Sequence, residues 1–484
     1  MDCRAQTLEK VDEGNLGTRG EDDQDIREGK PGRRPEPEPT PVDPLKIFRH
    51  IQSIFPFFLN WIKEVRDPRK RPDLATFPVD YLLLLSLLMF CSQCKSRRRL
   101  GKAMVGGRLS SNVWRMIGKA YKAVCHVDTM NNVMEQVDSE DLERLIVKVV
   151  GQMRTRKMLR NFLLNGNMIV VVDGTQIFRV NEPVGEGWLT RTKDGKTTYS
   201  RYVLAAKIVT VAGLVIPFAF EFCANPETMG EFEKQDCEIK AWRRLIEKIH
   251  RLYPRLKITI LADSLFAEES TFNQCRKLGW DFIVTQKDDK LPSVNKQLPA
   301  VGEPWTGERK MPAFVNGKKT KGTYHVRWLT PVSYHGEIYH IIELTQFGPD
   351  GTQVYYNRWI TNVKPNEQNA LDLALHGRLR WKIENEGTNT QKNGGYEMEH
   401  AYGHNGNAWK NYYLILQVAQ LFNDLVYYTD ILSTLADDVR STFARLYGSM
   451  SAYADSLREA LRRDELDEGP LWGGKKVQIR FCSA

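Results

Sequence analysis

The sequence has no apolar stretch long enough to cross a lipid bilayer. Its longest apolar run, YLLLLSLLMFC at residues 81–91, has 11 residues, whereas a transmembrane helix needs about 20. The N-terminus is polar and acidic, so no secretory signal peptide is evident. We therefore expect a cytoplasmic protein without a membrane partner, in which residues 81–91 form a buried core helix.

Cysteine is scarce and scattered. The eight cysteines, at positions 3, 91, 94, 125, 223, 237, 275 and 482, do not form the framework of a disulfide-stabilised secreted domain, which favours a reducing compartment. Cys91 and Cys94 form a lone Cys-x-x-Cys pair. No second Cys or His pair stands at zinc-ribbon spacing, so we expect two small residues at a helix end and no zinc site.

Positive charge is present in excess, and it is unevenly distributed. The chain carries +9 at neutral pH, but residues 1–45 contain 12 acidic and 7 basic residues, which leaves +14 for the rest. A body this basic favours a polyanionic partner, with nucleic acid as the first candidate. A surface that serves only solubility is the alternative, and charge alone does not exclude it.

Composition and periodicity divide the chain into six parts. Residues 1–45, rich in Asp, Glu, Gly and Pro, are predicted to be a disordered acidic tail. Residues 46–160 have helical periodicity and basic clusters, which fits a DNA-binding region or a merely solvated surface. Residues 161–289 and 363–447 are the two predicted parts of a catalytic core, residues 290–362 a β-rich insertion between them, and residues 448–484 a C-terminal tail.

The core is predicted to have the element order βββαβαβ. The strands are MIVVVD at 168–173, a hairpin of 197–213 and 215–224, ITILAD at 258–263 and DFIVTQK at 281–287, with helices near 231–251 and 267–278. The first three strands can pair antiparallel, whereas strands joined through helices must run parallel. We therefore expect an α/β fold with a mixed sheet, followed by helices at 366–386 and 408–446.

Three acidic residues are candidate metal ligands in this plan. Asp173 and Asp263 each end a predicted strand, and catalytic groups favour the carboxyl ends of strands in open α/β sheets. If the two strands are neighbours, the carboxylates converge, and such oxygen ligands suit Mg²⁺ or Mn²⁺. Glu384, in RWKIENEG at 380–387, is the candidate third ligand of a site for two metal ions. One strand-terminal Asp alone is more often a turn cap.

These motifs also admit two other interpretations. VVDGT at 171–175 invites comparison with phosphatases of the haloacid dehalogenase type, which use DxDGT, but Val171 stands where their nucleophilic aspartate should be. Arg380 and Glu384 share a helix face, and as an exposed ion pair they would contribute only about 0.2–0.5 kcal/mol. The functional interpretation is that Glu384 binds metal and Arg380 binds a phosphate.

Together these residues resemble a bacterial insertion-sequence transposase of the DDE class. The resemblance covers about residues 165–425 and depends on VVDGT, KQDCE at 234–238, LADSLFA at 261–267 and RWKIENEGTNTQKNGGYEMEHAYGHN at 380–405. It implies a ribonuclease H-like fold in which Asp173, Asp263 and Glu384 are the metal-binding catalytic triad. It also implies that Arg380 and Lys392 hold DNA phosphates near the metal ions.

The last motif departs from the family's Tyr-Arg-Glu-Lys signature at two positions. Gly377 stands where the tyrosine is expected, and Gln391 stands where the lysine is expected, with Lys392 one residue later. These departures indicate a divergent branch. Lys287, at the end of a predicted strand, is a further candidate for a phosphate contact, with a solvated lysine as the alternative.

The resemblance implies an enzyme of the bacterial cytoplasm, associated with the nucleoid. It would cleave the ends of a mobile element in double-stranded DNA and join the freed 3′-hydroxyl to target DNA. Because two DNA ends must be held together, a homodimer is expected in the DNA complex. Two alternatives stay open, which are a DNA-binding relative without catalysis and a metal-dependent DNA nuclease without strand transfer.

Overall fold

The computed structural model describes residues 38–466 and 481, except for 211, 226–234, 299–304 and 316–317. The predicted disordered tail lies outside the described residues as far as residue 37. Pro39–Ala484 form one compact unit. The helical N-terminal region and the sheet therefore belong to the same body.

Among the described residues, seven α-helices precede the sheet. They are α1 (Pro44–Ile54), α2 (Phe58–Lys63), α3 (Val79–Cys91), α4 (Arg97–Met104), α5 (Leu109–Met116), α6 (Val127–Gln136) and α7 (Ser139–Thr155). The apolar run at 81–91 forms most of α3, in which every residue but Asp80 is buried. The apolar run is therefore a buried helix, as the sequence analysis expected. In the described part of the chain, no helix is long and apolar enough to cross a membrane.

The central strands pair as the sequence predicts. They are β1 (Leu163–Leu164), β2 (Asn167–Val180), β3 (Leu189–Lys193), β4 (Lys196–Val209), β5 (Val215–Cys223), β6 (Ile258–Ala262) and β7 (Asp281–Thr285), with α8 (Glu238–Leu252) and α9 (Glu269–Lys277) between the last three. β4 is antiparallel to β2 and β5, and β6 is parallel to β2 and β7. This mixed α/β sheet is ribonuclease H-like, which confirms the predicted fold class.

The strand that carries Asp173 is longer than predicted. It continues to Val180, because β2 stays paired with β4 as far as the Val180–Tyr199 pair. Asp173 therefore lies within a strand and not at its end. Asp263, in contrast, directly follows β6, as predicted.

The β-rich insertion extends the central sheet. A short helix, α10 (Pro292–Asn295), is followed by β8 (Trp305–Val315), β9 (Lys318–Tyr334), β10 (Glu337–Phe347) and β11 (Gln353–Thr361). β11 pairs antiparallel with β7, and the sheet continues from there through β10 and β9 to β8. The chain consequently returns from the insertion beside the core strands.

The C-terminal part is helical beyond the predicted boundary. It contains α11 (Ala370–Arg378), α12 (Arg380–Lys382), a π-helix (Ile383–Asn389), α13 (Thr390–Asn393), α14 (Ala408–Tyr428), α15 (Ile431–Ala436), α16 (Phe443–Leu446) and α17 (Met450–Arg463). Helix α17 falls in the range predicted as a tail. It buries Tyr453, Leu457 and Leu461 and packs against α1, α4 and α5.

Gly377, at the position of the signature's tyrosine, packs against a tryptophan of the insertion. A Cβ at Gly377 would lie 2.8 Å from Cε2 of Trp359, and Trp359, on β11, is 1 % exposed. The indole therefore occupies the space that a side chain at 377 would need. This close approach explains why a tyrosine does not fit at this position.

We expect Gly377→Ala to destabilise the protein by about 1–3 kcal/mol, because the added methyl group overpacks the core. The measurement is the free energy of unfolding in urea. Gly151→Ala is the matched control, since a Cβ at Gly151 in α7 meets nothing within 4 Å and alanine is favoured over glycine in a helix by up to about 1 kcal/mol. Equal stability of the two variants would contradict the packing argument.

Candidate active site

The parallel register of β2 and β6 brings Asp173 and Asp263 to the same level. Val171 pairs with Leu261. Asp173 lies two residues after Val171, and Asp263 lies two residues after Leu261. The two strands are therefore neighbours, as the sequence argument required. Asp263 also caps the turn that follows it, since its Oδ1 accepts a hydrogen bond from Leu265 N at 2.9 Å.

Arg380 links Glu384 to Asp173 at this edge of the sheet. The Nη1 atom of Arg380 lies 2.5 Å from Oε1 of Glu384 and 3.8 Å from Oδ1 of Asp173. The π-helix that contains Glu384 packs against β2 and β5 and interrupts the continuous helix predicted for 366–386. Such π-segments are rare and occur frequently at functional sites.

Asp173 lies in an environment that disfavours its negative charge. Burial and, after it, the nearby carboxylates of Glu384, Asp263 and Glu238 together raise its pKa to about 7, with Arg380 acting in the opposite direction. Repulsion between carboxylates is relieved by a proton or by a cation. A single arginine therefore compensates only part of the negative charge gathered here.

Glu238 is a fourth acid of the site that the sequence analysis did not assign. It is the first residue of α8, and Tyr202 Oη donates a hydrogen bond to its Oε1 at 2.5 Å. A Cβ at Gly174 would lie 2.4 Å from the Glu238 carboxyl carbon, so the glycine after Asp173 makes room for this carboxylate. The only sequence signal was KQDCE, which ends on Glu238.

The donor chemistry of this site fits a divalent metal ion. Carboxylate oxygens are the ligands that Mg²⁺ and Mn²⁺ prefer, and Asp173 is buried among carboxylates that one arginine does not neutralise. In the described residues, however, no three His, Cys, Asp or Glu side chains are close enough together to hold a metal ion. The Arg380 guanidinium lies between Glu384 and Asp173, so a metal ion held by both carboxylates would have to displace it from Glu384.

The other predicted DNA-contacting residues lie apart from this cluster. The Lys392 ammonium lies 2.9 Å from Glu399 Oε1, and no described contact joins it to the acids. Gln391 is fully buried and donates hydrogen bonds to Gln417 and Gln420 at 2.8 and 2.6 Å. Lys287 is exposed just beyond β7, at the edge of the sheet where Asp263 follows β6.

The basic clusters of the N-terminal helices differ in their pairing. Arg66, Arg69 and Arg71 each form ion pairs with aspartates of the chain, which makes them less available to bind DNA phosphates. A further basic group, Arg97, Arg98 and Lys102, lines an open cleft of about 1160 Å³, with Arg97 lying 3.4 Å from Asp128. Its lining includes Arg97, Arg98, Lys102, His126 and His400.

Comparison with known protein families agrees with this geometry. Residues 166–386 match the family model described as a transposase DDE domain. The match covers a little under half of the chain and includes all three predicted catalytic acids. It supports the assignment of this segment to the DDE transposases. No curated protein matches the chain.

The raised pKa of Asp173 predicts how the stability of the metal-free protein depends on pH. The carboxyl loses its proton near pH 3.8 in the unfolded chain and near 7 in the folded one, so the folded state binds more protons between these values. The free energy of unfolding should therefore fall as the pH rises from about 4 to 7, by an amount on the order of a few kcal/mol.

Asp173→Asn should remove this pH-dependent fall in the free energy of unfolding. Urea unfolding in EDTA at several pH values would measure it. Asp289→Asn is the matched control, because Asp289 is exposed and its removal should leave the wild-type profile in place. Parallel profiles for the wild type and Asp173→Asn would show that Asp173 does not carry the shift.

Proposed function

We propose that this protein is a DNA transposase. It cleaves the ends of a mobile element and transfers the freed 3′-hydroxyl to target DNA, with two divalent metal ions held by Asp173, Asp263 and Glu384. The observation that carries the proposal is the parallel register of β2 and β6, which brings Asp173 and Asp263 together beside the Arg380–Glu384 pair. The match of residues 166–386 to a transposase DDE domain supports the same function.

The side chains of the site have separate tasks in this proposal. Divalent ions held there would polarise the scissile phosphate and lower the pKa of the attacking water or hydroxyl group. Asp173, whose pKa is near 7, retains its proton in part until a cation compensates its charge. Arg380 exchanges the Glu384 carboxylate for a DNA phosphate, a change for which its planar donors are suited.

DNA approaches the site along surfaces whose Lys and Arg side chains are exposed or only weakly ion-paired. Lys287 is exposed next to the acids' edge of the sheet, and the Lys392–Glu399 pair is partly exposed. Exposed ion pairs contribute about 1 kcal/mol or less, so DNA phosphates can compete for Lys392. The cleft lined by Arg97, Arg98 and Lys102 is the proposed contact of the helical region with double-stranded DNA, and two such protomers hold the two ends.

Two alternatives lead to different products. A DNA-binding relative without catalysis would bind duplex DNA and leave it intact with any metal ion. A metal-dependent nuclease would cut the DNA but would not join the end to a second duplex. The presence of all three acids, with Glu238 beside them, favours an enzyme over the first alternative.

We expect Glu384→Gln to reduce cleavage of a labelled duplex carrying the element's end to the level seen with EDTA, while DNA binding persists. Glutamine keeps the shape of the side chain but removes the charge that a metal ion requires. Strand transfer is followed in the same reaction as joining of the labelled end to a target plasmid.

Glu386→Gln is the matched control. Glu386 is half-buried on the same π-helix and acts electrostatically on Asp424 in the interior, so its loss should leave cleavage largely intact. Cleavage by Glu384→Gln at the wild-type rate would show that Glu384 is not the third acid. Metal-dependent cutting without any joined product would favour the nuclease.

A further inference from the structure

A second pocket contains a buried arginine of β4, the strand that pairs with the strand of Asp173. We call it the Arg201 pocket, a cavity of about 540 Å³ between the segment from β2 to β3 and the start of α14. It is lined by Val184, Gly185, Glu186, Gly187, Arg201, Ala224, Asn225, His404, Asn405, Gly406, Trp409 and Lys410. None of these residues belongs to the acidic site.

Arg201 is buried in this pocket between two indole rings. It is 4 % exposed, and its guanidinium carbon lies 4.0 Å from the ring centre of Trp188 and 4.8 Å from that of Trp409. Both indole rings therefore lie within cation–π distance of the guanidinium, whose N–H groups donate hydrogen bonds in its own plane.

The described residues offer Arg201 no acidic partner. Its Nε atom is buried without a hydrogen bond, and burial alone lowers its pKa to about 10. Of the described lining residues, only Glu186 is acidic, and it is exposed on the loop. A buried cation without a partner is costly, so the pocket favours an anion that supplies the missing contacts.

Lys410 adds a second cation to the same pocket. The Lys410 ammonium lies 5.5 Å from the ring centre of Trp409, and both burial and the charge of Arg201 lower its pKa. Glu221 is close enough to act on Lys410 electrostatically, but it is paired with Arg244 and Lys248. Within the described part of the chain, no carboxylate forms an ion pair with either Arg201 or Lys410.

Hydrogen bonds fix the segments that form the walls of the pocket. Asn225 Nδ2 donates a hydrogen bond to the Trp188 carbonyl at 2.8 Å, and Trp188 Nε1 donates one to the Val184 carbonyl at 3.2 Å. Gly187 has φ +77°, and a Cβ there would lie 3.2 Å from Nη1 of Arg201. The backbone therefore approaches the guanidinium edge where a side chain would crowd it.

The position of the pocket relates it to the acidic site. Phe178 pairs with Arg201 across β2 and β4, and Phe178 is five residues beyond Asp173. At the usual strand rise this places the pocket roughly 15 Å from Asp173, a distance spanned by about four or five nucleotides of B-form DNA. A strand bound at Asp173 can therefore present a backbone phosphate to Arg201.

We propose that the Arg201 pocket binds a phosphodiester group of the DNA strand that enters the acidic site. This inference rests on the proposed function. Arg201 would donate hydrogen bonds in its plane to the phosphate oxygens, as arginine does in bidentate phosphate recognition. Lys410 adds charge to the same contact, and the indole rings keep the guanidinium aligned.

The test is the salt dependence of DNA binding in EDTA, where cleavage plays no part. A labelled duplex of arbitrary sequence is titrated with wild type, Arg201→Gln and Lys410→Gln at a series of KCl concentrations. Each variant should bind several-fold more weakly and should lower the slope of log K against log salt by about one unit. Lys410 is only half-buried, so Lys410→Gln carries the test if Arg201→Gln does not fold.

Arg255→Gln is the matched control, since Arg255 is exposed before β6, at the opposite edge of the sheet from Asp263. Slopes equal to that of the control in both pocket variants would overturn the inference. Inorganic phosphate is compared with chloride at equal ionic strength. If phosphate raises the melting temperature of the wild type through Arg201 while the DNA slopes stay unchanged, the pocket binds free phosphate and the DNA assignment is wrong.

The same measurements separate this inference from the proposed function. A wild type that does not bind the duplex would refute the proposed function, and the inference with it. Pocket-dependent binding by a wild type that never cuts DNA would support the Arg201 contact and refute the cleavage activity. Cleavage that depends on Glu384, together with unchanged slopes in the pocket variants, would leave only the Arg201 inference refuted.

Discussion

The rest of the site depends on the parallel pairing of β2 with β6. That register places two aspartates side by side, and two adjacent carboxylates in a partly buried place repel each other. The protein compensates with a single guanidinium, since Arg380 binds Glu384 and approaches Asp173, while Glu238 adds further negative charge. Burial together with this excess of negative charge raises the pKa of Asp173 to about 7.

The helix that carries Glu384 is held by a buried polar layer beneath it. Gln420 of α14 donates a hydrogen bond to the Glu386 carbonyl at 3.0 Å and accepts one from Gln391. Lys207 of β4 is fully buried nearby, where burial lowers its pKa to about 7 and Asp424 of α14 opposes the shift. Buried networks of this kind specify one arrangement of the elements around them. Gln391, which occupies the position of the signature's lysine, belongs to this layer. It therefore helps to hold the π-helix in place.

Several features of the fold followed from local patterns, and others did not. The short apolar strands, the hairpin and the buried helix α3 were predictable because burial on both faces leaves continuous apolar runs. Helix α17 was missed although its buried residues Tyr453, Leu457 and Leu461 recur at helical spacing after the N-cap Ser449. Pairing of β11 with β7 could not be predicted either. It depends on hydrogen bonds between strands about 75 residues apart, which leave no trace in local periodicity.

By itself, the sequence determined the order of the elements in the core, because residue chemistry and hydrophobic periodicity are local properties. It also offered Asp173, Asp263 and Glu384 as candidate metal ligands, on that basis and on a family resemblance. Only the tertiary structure decided that Glu238 joins them, that Arg380 is shared between two carboxylates, and that Lys392 pairs with Glu399. It also decided that Arg201 contacts two tryptophans more than 200 residues apart, with no acidic partner among the described residues. These contacts join distant segments, and their energies depend on burial and distance, which exist only once the chain has folded.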